Sequence, residues 1–255
     1  MPSGTNAAAG VLRLRARRQE LVLNSAGYKV WQVREESQTL AAAETALVLC
    51  DVWDRHWCRG ANERLALLLP RMNQVVRAAR SRGVLMVHAP SDTMDFYAGT
   101  PARQRVLAAP PVEPPPEQPH DQPPLPIDAS DVGCDTPPDE PHKAWTSQHP
   151  AIEIDQDRDA ISDNGAELMN LYAQRGIRNI IIMGVHTNMC VVGRSFAICP
   201  MVKRGYKVML VRDLTDTMYS PARPPYVSHE EGTRLMVEYL EKFWCPTIAS
   251  ADLLA

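Results

Sequence analysis

Two side chains carry the chemistry that this sequence suggests, Cys190 and Asp51. Cys190 lies in the run Gly184-Val185-His186-Thr187-Asn188-Met189-Cys190-Val191, after the apolar stretch Asn179-Ile180-Ile181-Ile182-Met183 and before a helix-compatible segment. That spacing puts a thiol near a helix N-terminus, at the carboxyl edge of a buried strand. Free backbone N–H groups and the helix dipole favour a thiolate there, and open α/β sheets bind ligands outside the carboxyl ends of their strands. A second apolar run, Thr45-Ala46-Leu47-Val48-Leu49-Cys50, ends in Asp51. In a parallel sheet the two strand ends share one edge, so Asp51 can take the thiol proton and later return it as an acid. The N–H of Cys190 and an N–H of the preceding loop would hold an oxyanion.

The elements that must position these groups are readable from periodicity. Residues 62–82 have helical spacing, with Pro70 expected to kink or interrupt the helix and Gly83 to stop it. Val84 to His88 reads as the next strand. Ser162 to Arg175 is a predicted helix with Ser162 as N-cap and Gly176 as stop. Asn188 to Arg204 reads as one helix closed by Gly205, Tyr206 to Val211 as a strand, Ser228 to Phe243 as the last long helix, and Cys245-Pro246-Thr247-Ile248 as an edge strand. Strands alternating with helices imply βαβ units and a mainly parallel sheet. Before this domain, which begins near Glu44, period-two alternation around Asn24-Ser25-Ala26-Gly27 predicts two strands and a turn, so residues 1–43 form an N-terminal β extension and residues 44–255 the main domain. Residues 100–150 hold 14 of the 22 prolines and read as a long Pro-rich loop over the sheet edge or the site, anchored at Trp145 and His149.

The bulk composition narrows the function classes. Hydrophobic residues make up 45%, charged residues 22%, the net charge is −3 and the pI about 6.2, so neither nucleic acid nor an anionic membrane surface is an expected partner. No apolar run is long enough to span a bilayer. Met1 to Gly10 lacks an apolar core, which predicts no signal peptide and a cytoplasmic protein. The six cysteines show no CxxC pair and are expected as free thiols, mostly core filler.

Together, Ala46-Leu47-Val48-Leu49-Cys50-Asp51-Val52 and Gly184-Val185-His186-Thr187-Asn188-Met189-Cys190-Val191 resemble the isochorismatase-like cysteine hydrolase superfamily, which includes nicotinamidases and N-carbamoyl amide hydrolases. The resemblance runs from about Glu44 to the C-terminus. It implies a three-layer α/β/α sandwich with a parallel central sheet, and a hydrolase that cleaves a C–N bond of a small amide or carbamoyl substrate through a thioester on Cys190, with Asp51 as base. It also implies a cis peptide before His186, with the N–H groups of His186 and Cys190 as oxyanion hole, and a lysine completing a triad. Lys143 is the lysine favoured for that role; Arg158, or no cation, are the alternatives. The superfamily further implies a homo-oligomer, dimer or tetramer, with the N-terminal extension as a candidate contact.

Trp53, His56, Trp57, His88 and Trp145 are the candidate substrate-binding residues. No cofactor is expected. A zinc or manganese site from Asp54, His56 and His88 is the alternative, but His88-Ala89-Pro90-Ser91-Asp92 lacks the Asp-x-His motif of nicotinamidases. Two other readings stay open at this stage: a non-catalytic binding or scaffold relative, and a vinyl ether hydrolase that works without a covalent step.

Overall fold

The computed structural model describes residues 10–255; the sequence reading of the first nine residues falls outside them. The chain opens with a hairpin of two long strands, β1 (Val11–Leu23) and β2 (Lys29–Ala41). The Asn24 side chain accepts from the N–H groups of Ala26 and Tyr28 and so closes the turn. There follow β3 (Thr45–Cys50), α1 (Arg59–Ser81), β4 (Leu85–Ala89), α2 (Met94–Tyr97), α3 (Pro101–Leu107), β5 (Ala160–Ile161), α4 (Gly165–Arg175), β6 (Asn179–Val185), α5 (Cys190–Gly193), α6 (Ile198–Lys203), β7 (Lys207–Asp216), α7 (His229–Phe243) and β8 (Thr247–Ile248). One eight-stranded sheet has the order β2-β1-β8-β7-β6-β3-β4-β5. Its strands from β3 to β8 pair in parallel, and only the hairpin runs antiparallel.

The apolar runs are long because both faces of the sheet are covered. Ala46, Val48 and Cys50 of β3 and Ile180 and Ile182 of β6 face one core with Leu168, Leu171, Ile198, Met236 and Leu240 from α4, α6 and α7. Leu47, Leu49, Ile181, Met183 and Val185 face the other core, with Leu69, Met72, Val75 and Val76 of α1 and Leu12 and Leu14 of β1. These layers are those of an α/β/α sandwich.

Several local expectations are revised. Pro70 lies inside α1 without ending it, because the buried stripe of Leu65, Leu69, Met72 and Val76 holds both halves on the sheet. The N-cap of α4 is Asn164, whose side chain accepts from Ala166 and Glu167 N–H, rather than Ser162. The single helix expected over residues 188–204 is two short helices, since Arg194 leaves helical geometry and Ser195 turns to accept from the Gly165 N–H. β8 is an inner strand between β7 and β1, the position that joins the hairpin to the sheet. Cys58 and Cys134 are joined by a disulfide, with Cα atoms 5.8 Å apart; a pair 76 residues apart leaves no spacing signature in the sequence.

The Pro-rich segment contributes α3 and then wraps the body without regular structure. Gln118 N–H donates to the Lys203 carbonyl, Tyr239 Oη–H to that of Pro123, and Asp128 N–H to that of Pro224; His120 stacks on Trp244. The segment crosses α6 and α7 and reaches the carboxyl edge of the sheet, where the disulfide fixes it to the start of α1.

Candidate active site

The carboxyl ends of β3 and β6 lie side by side, with Cys50 paired to Gly184. A side chain at residue 184 is excluded: a Cβ there would sit 2.0 Å from the Cys50 carbonyl oxygen, and φ is +128°. This close approach lets the loop that carries Cys190 lie against Asp51. Asp51 has φ 48° and is fully buried. Its Oδ1 accepts the Ser91 N–H at 2.7 Å, its Oδ2 accepts from Nε of Arg194 at 3.1 Å, and the Cys190 thiol is near enough for its charge to couple to the carboxylate. Arg194 also reaches Asp92 at 3.3 Å.

Burial pushes the Asp51 carboxyl up, against the lowering effects of Arg194, Cys190 and Ser91. The thiol is pushed up to about 12 by burial and then by the Asp51 charge and hydrogen bond, with Arg194 and the His186 backbone N–H acting the other way. This runs against the thiolate expected at a helix terminus: α5 has four residues, too few for a strong dipole, and burial, followed by the adjacent carboxylate, outweighs it.

The peptide between Val185 and His186 is cis. The His186 carbonyl accepts from Met189 and Val191 N–H and leaves the Cys190 N–H without an acceptor among the described residues. The end of β7 holds this loop. Thr187 N–H and Oγ1 both donate to the Asp216 carbonyl, and Asn188 and Met218 exchange side-chain and backbone hydrogen bonds at 2.9 Å. The Asp216 carboxylate is fixed by Arg64 Nε at 2.9 Å and His229 Nε2 at 2.8 Å, and Arg64 is clamped in turn by both oxygens of Asp135.

The roof over the site is aromatic. Trp53 and Trp145 stack at 4.1 Å between centroids, His56 lies parallel to both, and His186 meets His56 edge-on at 5.0 Å. Trp57 stands 5.2 Å from His56 and packs against the apolar group around Cys58 and Cys134. The roof is zipped to the loop after β3. Asp54 accepts from Thr146 and Ser147, its N–H donates to the Ser147 carbonyl, and His149 N–H donates to that of Val52. Beneath it Asp51, Trp53, His56, Leu65 and His186 line a cavity of about 10 Å³, about the least that holds one water. Burial holds His186 down to about 3 and His56 down to about 4, so both imidazoles are neutral near pH 7.

Two expected site residues stand elsewhere. His88 is wholly buried, with Nδ1 bonded to Gln148 at 2.7 Å and Nε2 to Asp159 at 3.0 Å, so it braces the site from behind and presents nothing to a substrate. Lys143 Nζ donates to the Asp92 carbonyl at 2.7 Å, because the insertion passes along the outer rim; the cation on Asp51 is Arg194. Arg158 is paired with Asp155. Arg194 stands four residues after Cys190, one helical turn along, and that spacing is the signal that could have revealed it. The metal-ligand candidates also separate: Asp54 is tied to Thr146, His88 to Asp159, and His56 Nδ1 accepts the Cys58 N–H. Among the described residues, the one cluster of three donor atoms is Cys58, Cys134 and Asp135, and its sulphurs form the disulfide.

A cysteine beside a buried aspartate at the carboxyl edge of a parallel α/β/α sheet defines a class of hydrolase folds. The profile of the isochorismatase domain matches residues 45–223; the chain belongs to the isochorismatase-like superfamily and is a hydrolase of that family. Among solved structures it is similar to a cysteine hydrolase from Pseudomonas syringae pv. phaseolicola 1448A, with 17% identity, a TM-score of 0.54, and coverage of 84% of this chain and 92% of that one. It is also similar to a putative isochorismatase from Burkholderia xenovorans LB400, with 16% identity, a TM-score of 0.50, and coverage of 83% and 86%. At such identities these structures share the fold. No curated protein matches the chain.

Proposed function

We propose that this hydrolase cleaves the C–N bond of a small, neutral amide or carbamoyl compound through a thioester on Cys190. The observation that supports the reading is the Cys190 thiol set beside a fully buried Asp51, whose carboxylate is held by the Ser91 N–H and Arg194. As the sulphur attacks the carbonyl carbon, its proton passes to Asp51; the carbonyl oxygen becomes an oxyanion against the N–H groups of Cys190 and His186. Asp51 hands the proton to the departing nitrogen and the amine leaves; a water then gives a proton to Asp51 as it attacks the thioester carbon, the C–S bond breaks to release the acid, and Asp51 returns the proton to the sulphur. Arg194 holds the carboxylate in place and keeps its charge throughout, since a guanidinium does not release a proton. Trp53, Trp145, Trp57 and the neutral His56 and His186 offer a flat, uncharged wall, which favours a neutral substrate.

The test is a panel of small primary amides and carbamoyl compounds, with mass spectrometry of the quenched enzyme. The expected result is an acyl adduct on Cys190, and loss of hydrolysis in both Cys190→Ala and Asp51→Asn. Activity that survives Cys190→Ala but not Asp51→Asn would replace this mechanism by a non-covalent one, and a chain inert toward every compound while binding some of them would make it a binding relative.

A further inference from the structure

The hairpin of β1 and β2 lies outside the matched domain, residues 45–223, and ends the sheet with an open edge. β2 is exposed on both faces along nearly its whole length. Toward its tip the hairpin carries apolar groups to solvent: Leu21 and Leu23 of β1, Tyr28 of the turn and Val33 of β2 are each more than half exposed. Trp31 is held by Phe243, 5.5 Å away, and by Lys242 over its ring. A two-stranded ribbon is marginal in water, and a long exposed edge is a template for another strand.

We propose that the occupant of this edge is a second copy of the chain, paired antiparallel through β2 about a two-fold axis at Glu35, so that the two eight-stranded sheets become one. Three observations fix the partner and the register. An edge strand aims the N–H and C=O groups of every second residue outward, so a two-fold pair must match residues of the same parity. Glu35 is the midpoint of the 13-residue strand Lys29–Ala41, so this axis pairs the strand over its full length. The charges then agree. Arg34 falls opposite the partner copy's Glu36 at two symmetric places and lengthens a ladder already present in each hairpin, Arg18 with Glu20 and Glu36, and Arg34 with Glu20. An axis at Arg34 or at Glu36 instead sets each on its own copy. The two Glu35 residues face each other, one like-charge contact set against two Arg34–Glu36 pairs, since their cross-strand neighbour Arg17 is engaged by Glu241. The same register lays the tip residues Lys29 to Trp31 against Thr39 to Ala41 of the other copy, at the root of its arm, where the exposed apolar groups meet protein.

The experiment uses the full chain. Sedimentation velocity is expected to give twice the 28.4 kDa chain mass. Residues opposed on an antiparallel pair lie about 4.5–5.5 Å apart at Cα, within disulfide range. Glu35→Cys, at an exposed position, is therefore expected to form a covalent dimer with oxidised glutathione, seen on a non-reducing gel, while Arg34→Cys and the unmodified chain do not. Arg34→Glu is expected to weaken the dimer about ten-fold at low salt. A monomeric chain, or a dimer that Arg34→Cys cross-links and Glu35→Cys does not, overturns the proposal.

Discussion

The contact between Arg194 and Asp51 makes a sharp prediction about pH. In the proposed mechanism the thiol and the carboxylate share one proton and one negative charge. Arg194 stabilises this singly negative pair over its doubly protonated form, through one charge-assisted hydrogen bond at 3.1 Å. Such a bond contributes roughly 1.5–3 kcal/mol. Asp51 is fully buried but Arg194 is one-third exposed, and water screens the guanidinium, so the lower end, about 1.5–2 kcal/mol, applies. Without Arg194 the pair binds its extra proton more tightly by about ten- to thirty-fold. Activity on the acid side needs the pair deprotonated, so the acid limb moves to higher pH, and at a fixed pH on that limb the rate falls by about the same ten to thirty-fold. The assay is the pH dependence of Cys190 alkylation by iodoacetamide, followed by peptide mass spectrometry, which needs no known substrate. Cys190 is the one free cysteine of four that is not buried, so it is the selective target. Arg194→Gln should show the displaced limb, Arg194→Lys a smaller displacement, and Lys143→Ala none. An unmoved limb in Arg194→Gln, or a moved one in Lys143→Ala, would refute the assignment of the cation.

Four further outcomes follow from the geometry. Trp145→Ala removes the outer ring of the stack that closes a cavity of about 10 Å³; Cys190 should alkylate faster and the Trp53 emission should shift to the red, and an unchanged labelling rate would show that reagents enter by another path. Arg80→Met strips the buried Asp159 of its partner at 2.5 Å and should cost about 3–5 kcal/mol in urea unfolding. Burial raises Asp159, but His88 and Arg80 outweigh it and hold it down to about 2 against an ordinary 3.8. The stabilisation from Asp159 is therefore complete above the ordinary value and disappears as pH falls toward 2, which acid unfolding of the unmodified chain and of His88→Gln should separate. Cys58→Ser with Cys134→Ser opens a closure of 76 residues and should lower stability by up to about 4 kcal/mol; an equal midpoint in urea with and without reductant would show that the insertion is held by its other contacts alone.

The sheet was legible because its inner strands are apolar on both faces: Leu47 and Leu49 point to one core, Ala46 and Val48 to the other, and no alternation competes with the run. The thiol and Asp51 were legible for the same reason, since each follows such a run at the edge where open sheets bind ligands. The hairpin announced itself by period-two alternation around Asn24. What stayed hidden depends on contacts distant in sequence. Arg194 reads as one more polar position of a helix until the chain breaks there to let it reach Asp51. The role of His88 depends on Gln148 and Asp159, and the disulfide on an insertion whose path no periodicity describes. Asp216, Arg64 and His229 support the Cys190 loop from three different elements, and only the folded register of β6 beside β7 brings them together.

The insertion is fastened on both sides of the roof and loose between. Behind it lie the Cys58–Cys134 bond and Asp139, which accepts the Arg59 N–H; ahead of it lie Thr146 and Ser147, zipped to Asp54. The five residues Glu140 to Ala144 make a single side-chain bond to the body, from Lys143 to the Asp92 carbonyl. The stretch is thus strung between two fixed posts like a bridge with one mid-span tie. Exchanges in that stretch are expected to reshape the rim beside Trp145 while the contacts of Asp51 with Ser91 and Arg194 stay as they are.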